Sequence, residues 1–85
     1  MLFTFNLAKP RDLQTTLANV KRELDKNKGT LDGGIQNGFI ASGGFEGRYT
    51  VMEEHVEIYI DKKPKMYPEY AVKKYIEDIF RKCAK

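Results

Sequence analysis

Arg48-Tyr49-Thr50-Val51-Met52-Glu53-Glu54-His55-Val56-Glu57-Ile58-Tyr59-Ile60 decides the fold. With Glu53-Glu54 at the turn, Val51 pairs with Val56 and Tyr49 with Ile58; glutamate suits a two-residue turn poorly, so a loop one or two residues longer, with shifted pairing, stays open. Tyr49, Val51, Val56, Ile58 and Ile60 then share one face. Arg48, Thr50, Glu57 and Tyr59 share the other. This is the two-residue period of an antiparallel hairpin with one buried and one open face.

Upstream, the chain from Gly33 to Gly47 is punctuated by glycine. Asn37-Gly38 is a strong short-range signal for a two-residue hairpin turn, because both central positions need positive φ. A turn there pairs Ile35 with Ile40 and sends Phe39 and Ala41 to the opposite face, with Thr30 to Gln36 as the preceding strand. Gly43 or Gly44 can add a bulge that re-aims the chain, so the register between Gly33 and Gly47 stays open. Ser42-Gly43-Gly44-Phe45-Glu46-Gly47 has the look of a phosphate-cradling loop. Such loops pass from a strand into a helix, however, and this one leads into Arg48-Tyr49-Thr50-Val51, so a glycine turn or bulge is the better reading.

The flanks supply the packing. Leu2 to Leu7 alternates, with Phe3, Phe5 and Leu7 on one side. Leu13, Leu17, Val20 and Leu24 form one stripe of a first helix from about Pro10 to Asn27, with Pro10 in its first turn, Asp12 favourable near its start and Gly29 as its stop. After the lysine-rich connector from Asp61 to Tyr67, Pro68 opens a second helix. Its stripe is Val72, Ile76, Ile79 and Cys83, widened by Tyr75 and Phe80, with Glu69–Lys73 and Glu77–Arg81 as outward pairs. The expected fold is α+β, in the order β-α-β-β-β-(β)-α. Four to five antiparallel strands carry both helices on one face. Residues 1–85 make one domain.

Composition narrows the function classes. Hydrophobic residues at 41% and aromatics at 12% argue against disorder. No apolar run approaches a membrane span, and the start lacks the pattern of a signal peptide, so the cytoplasm is the expected location. Cys83 is the sole cysteine, which excludes an internal disulfide. The net charge of +3 is unevenly placed. Residues 1–28 hold six bases against three acids, residues 29–60 one against five, and residues 61–85 eight against four. The helices are therefore basic and the sheet acidic.

Candidate chemistry is sparse. Glu53, Glu54, His55 and Glu57 are the only local cluster of metal-ligand types, yet they sit at a turn with a single histidine. A small metal-dependent enzyme using His55 and nearby acids is therefore one alternative. Cys83 falls on a buried stripe, away from the accessible, electropositive setting that an activated thiolate requires. No residue reads as catalytic, metal-binding or cofactor-binding. The candidate binding surface is the outer sheet face, Arg48, Thr50, Glu57 and Tyr59, with the basic edge Lys62, Lys63 and Lys65 beside it. The edge admits nucleic acid or another polyanion as an alternative ligand. The sheet face or an unpaired edge strand admits a protein, a polymer surface or a second copy of the chain.

A helix, the Asn37-Gly38 turn, the Gly44-x-x-Gly47 element, the alternating Val56, Ile58 and Ile60 strand and an amphipathic last helix follow one another along the chain. This succession resembles the small bacterial polyhydroxyalkanoic acid system proteins over most of its length. The resemblance implies a non-catalytic accessory protein associated with polymer storage granules, and it transfers no catalytic residue or cofactor.

Overall fold

In a computed structural model describing residues 2–84, alternation and helical stripes resolve into seven elements. They are β1 (Phe3–Ala8), α1 (Leu13–Lys26), β2 (Thr30–Gly33), β3 (Asn37–Ser42), β4 (Phe45–Val51), β5 (His55–Lys62) and α2 (Glu69–Cys83). The sheet has five strands in the order β1-β5-β4-β3-β2, every neighbour antiparallel. β2 to β5 form a meander. β1 and β2, consecutive in the chain, are the two edges, so α1 carries the chain across the whole sheet between them. The buried strand residues Phe5, Leu7, Leu31, Ile40, Phe45, Tyr49, Val56, Ile58 and Ile60 share one core with the stripes of both helices. The α+β architecture with both helices on one sheet face is thus the one the patterning implies.

The β4–β5 hairpin has the expected register, Val51 opposite Val56 and Tyr49 opposite Ile58. The β2–β3 hairpin does not. Asn37 and Gly38 lie inside β3, Gly33 pairs with Gly38, and Leu31 rather than Ile35 faces Ile40. The chain reverses at Gly34, Ile35 and Gln36, which leaves Ile35 57% exposed. The cause is tertiary. Gly38 sits directly opposite Tyr49, and a Cβ on Gly38 would come within 2.6 Å of the Tyr49 ring. The fully buried ring lies across the bare backbone there and donates its hydroxyl to the Gly34 carbonyl at 2.9 Å. The positive-φ reversal belongs instead to Gly43 (φ 55°) and Gly44 (φ 91°), which join Ser42 to its partner Phe45.

Helix ends also depart from expectation in instructive ways. Pro10 lies outside α1, whose N-cap is Asp12: its carboxylate accepts from the Thr15 backbone N–H at 3.0 Å and the Thr15 hydroxyl at 2.8 Å. At the other end Lys28, not Gly29, takes the left-handed conformation (φ 62°), and the Gly29 N–H reaches back to the Leu24 carbonyl at 2.7 Å. That is the bonding of a Schellman motif with a lysine in the usual glycine place. Gly29 is required for a different reason, because a Cβ there would meet the Ala41 carbonyl at 2.8 Å. In α2, Val72, Ile76, Ile79, Phe80 and Cys83 are buried as the stripe implies. Arg81, however, pairs with Asp78 rather than Glu77. The helices are tied by Lys82 Nζ to Glu23 Oε1 at 3.0 Å and by Asn19 Nδ2 to the Cys83 carbonyl at 3.3 Å.

Candidate functional site: the outer sheet face

Alternation along each strand sends every second side chain away from the helices, and the register aligns these into rows. Thr4, Tyr59, Arg48, Phe39 and Asp32 are successive cross-strand partners from β1 to β2. Asn6, Glu57, Thr50 and Asn37 form the next row. The structure therefore brings Arg48, Thr50, Glu57 and Tyr59 together on one face, and adds Phe39, 39% exposed, beside Arg48.

Arg48 is held from two sides. Its guanidinium carbon lies 5.6 Å from the Tyr59 ring centroid, over the ring. Its Nε and Nη2 donate to the two oxygens of Asp61 at 3.0 and 3.1 Å, a fork-to-fork geometry. Asp61 reaches this position through a register shift: Glu46 faces Lys62 and Gly47 faces Ile60, so Asp61 is the extra residue on β5. The hydrogen bonds from Arg48 hold the Asp61 carboxyl below the usual aspartate range, and the same contact raises Arg48. Beside it, the Tyr59 hydroxyl donates to the Glu57 carboxylate. That bond lowers Glu57, with a smaller contribution from His55, and raises Tyr59. His55 Nε2 stands 3.5 Å from Glu57 Oε2. The face is thus a connected polar network on the sheet, with an aromatic ring on either side of one arginine.

The basic edge divides: Lys62 and Lys63 border one recess, and Lys65 is not among its lining residues. Lys62 lies at the end of the outer face, 3.5 Å from Glu46. Lys63 turns to donate to the Tyr67 carbonyl at 2.9 Å. Lys65 stands apart in the exposed connector. Glu53 and Glu54 are exposed at the hairpin tip, and among the described residues no three His, Cys, Asp or Glu side chains converge as a metal-holding group. Cys83 is buried, which pushes its thiol upward. Among the described residues no helix is long and apolar enough to cross a membrane.

Alternation sends Phe39 away from Ile40, but neither its row nor the position of Lys28 is readable from local pattern. Phe39 joins the Arg48 row only once Gly43-Gly44 is fixed as the turn, since that turn sets which β3 residue faces Arg48. Lys28, in the α1–β2 loop, borders one recess with Lys62 and Lys63, a placement no local pattern signals. Comparison of the chain with family models, curated proteins and solved structures returns no match, so the likeness to the polyhydroxyalkanoic acid system proteins rests on the sequence pattern alone.

Proposed function

We propose that this protein is a non-enzymatic binding or accessory module that engages a protein partner through the outer face of its sheet. The row Tyr59–Arg48–Phe39, set between Thr4 and Asp32, carries this reading. Arginine and aromatic side chains dominate the energetics of protein interfaces, and here they are pre-ordered by the Asp61 fork and the Tyr59 ring, which lowers the entropic cost of binding. Asp32, Glu46, Glu57 and Asp61 on or beside the same face disfavour a polyanion there. The resemblance to granule-associated proteins is compatible with an accessory role of this kind at a polymer surface.

Affinity capture from native lysate with the full chain tests the reading, comparing wild type, Arg48→Glu and a control, Lys73→Ala, on the exposed side of α2. A partner retained by wild type and the control and lost by at least about tenfold in Arg48→Glu supports it, as expected for a central interface arginine. Equal capture by all three overturns it. If the partner is a second copy, light scattering shows a dimer that Arg48→Glu dissociates.

A further inference from the structure

At the end of the molecule where the Gly43-Gly44 turn meets the α2 N-terminus, two recesses adjoin. The first is a groove of about 400 Å³ walled by Phe45, Tyr67, Ala71, Val72 and Tyr75. Its floor is core: Phe45 and Val72 are only 4% and 3% exposed. The Tyr75 ring meets Phe45 edge-on at 5.8 Å, and its hydroxyl lies 3.2 Å from Ser42 Oγ, so the wall is fixed before anything binds. The second recess, about 480 Å³, is lined by Lys28, Lys62 and Lys63. These lysines come from the α1–β2 loop, the end of β5 and the connector. Its one acid, Glu46, is paired with Lys62. The two recesses share Ser42, Gly43 and Phe45, so an apolar trough opens directly beside a basic rim.

We propose that the trough and rim together form a binding site for a small soluble anionic amphiphile, an acyl or aryl carboxylate. Its apolar body lies against Phe45, Val72 and Tyr75, and its carboxylate lies among Lys28, Lys62 and Lys63. The size suits one small molecule, and small-molecule sites are commonly apolar clefts with a few charged groups that fix orientation. The lysines supply charge complementarity at one end only, which selects an amphiphile over a plain anion or a plain hydrocarbon. A free molecule is favoured over a bilayer because the apolar floor is recessed, so a flat lipid surface does not reach it. The site uses none of Arg48, Thr50, Glu57 or Tyr59, so its failure leaves the outer-face reading untouched.

Titration of the isotopically labelled full chain with decanoate, decanol and acetate, followed by amide chemical shifts, tests the proposal. Decanoate is expected to give saturable shifts centred on Gly43, Ala71 and Tyr75, decanol the same set about tenfold more weakly, and acetate none. Lys28→Gln/Lys62→Gln/Lys63→Gln should weaken decanoate about tenfold and leave decanol unchanged. Ala71→Phe should fill the trough and abolish both, with Ala71→Leu in its place if the larger side chain prevents folding. Spectra outside the site verify that each variant is folded. Absence of saturable decanoate binding, equal affinity for decanoate and decanol, or intact binding in the trough-filling variant would each overturn the proposal. So would shifts produced only by anionic phospholipid vesicles.

Discussion

Tyr49 links three strands through one side chain. It sits in β4, opposes Gly38 in β3, and bonds the carbonyl of Gly34 just beyond β2. Two substitutions separate the contributions of its ring and its hydroxyl. Tyr49→Phe keeps the ring and loses one neutral hydrogen bond, so urea unfolding should show a loss of about 1 kcal/mol. Gly38→Ala places a methyl 2.6 Å from that ring, and the expected loss is larger, about 2 kcal/mol or more. The same residue explains what was not legible in the sequence. Asn37-Gly38 has the local chemistry of a turn, but whether it is one depends on a ring eleven residues further on, and local propensity carries no information about that ring. Lys28 is a second instance: an αL lysine violates the local preference that points to Gly29, while Gly29 is fixed by its approach to Ala41.

Among the elements, the long periodic ones were readable and the short glycine-rich ones were not. The α1 and α2 stripes, β1 and the β4–β5 alternation all follow from apolar spacing, because each depends on burying one side of one element, while the β4–β5 register depends in addition on Glu53-Glu54 forming the turn. β2 is four residues long, with three of its four positions exposed, so it offers little periodicity to read. The outer-face set of Arg48, Thr50, Glu57 and Tyr59 was legible for the same reason the core was, since it is the complement of the alternation. The basic edge was legible as a run of lysines but not in its geometry, because Lys63 and Lys65 lie in a connector whose path no pattern dictates. The β3–β4 turn makes an element-scale prediction. Gly43, with φ 55° and open space where a Cβ would point, should accept asparagine with a change of at most about 0.5 kcal/mol. Gly44→Ala combines φ 91° with a Cβ 2.8 Å from the Pro64 ring and should cost about 1–2 kcal/mol. Denaturant midpoints at constant slope measure both.

For the whole molecule, the carboxylates define how stability depends on pH. Asp12, Glu23, Glu57 and Asp61 all have folded pKa values below their ordinary ones, through Thr15, Lys82, Tyr59 and Arg48 respectively. A depressed carboxylate stabilises the fold above its unfolded pKa, and the contribution is lost as pH falls through the folded value. The melting temperature should therefore be flat near neutrality and fall below about pH 4. Arg48→Gln should flatten that acid limb, because it removes the main cause of the Asp61 depression. An acid limb unchanged in this variant would show that the fork contributes nothing to folding.

The placement of β1 at the sheet edge has a consequence for aggregation. Its partner β5 lies about fifty residues away in the chain, from Ala8 opposite His55 to Phe3 opposite Ile60, whereas β2 to β5 are joined by tight reversals. Closing β1 onto the sheet therefore carries the largest loop-closure entropy of any strand pairing. When β1 swings out on the segment around Lys9 and Pro10, it uncovers the edge of β5, the strand bearing Val56, Ile58 and Ile60. A second molecule can donate its own β1 to that edge, and dimers formed at high concentration are expected to exchange this strand. Pinning β1 to β5 by a disulfide engineered as Thr4→Cys with Tyr59→Cys, in a Cys83→Ala background, should suppress such dimers in size-exclusion chromatography after concentration or mild heating. Dimers that persist when the strands are pinned would place the exchange elsewhere.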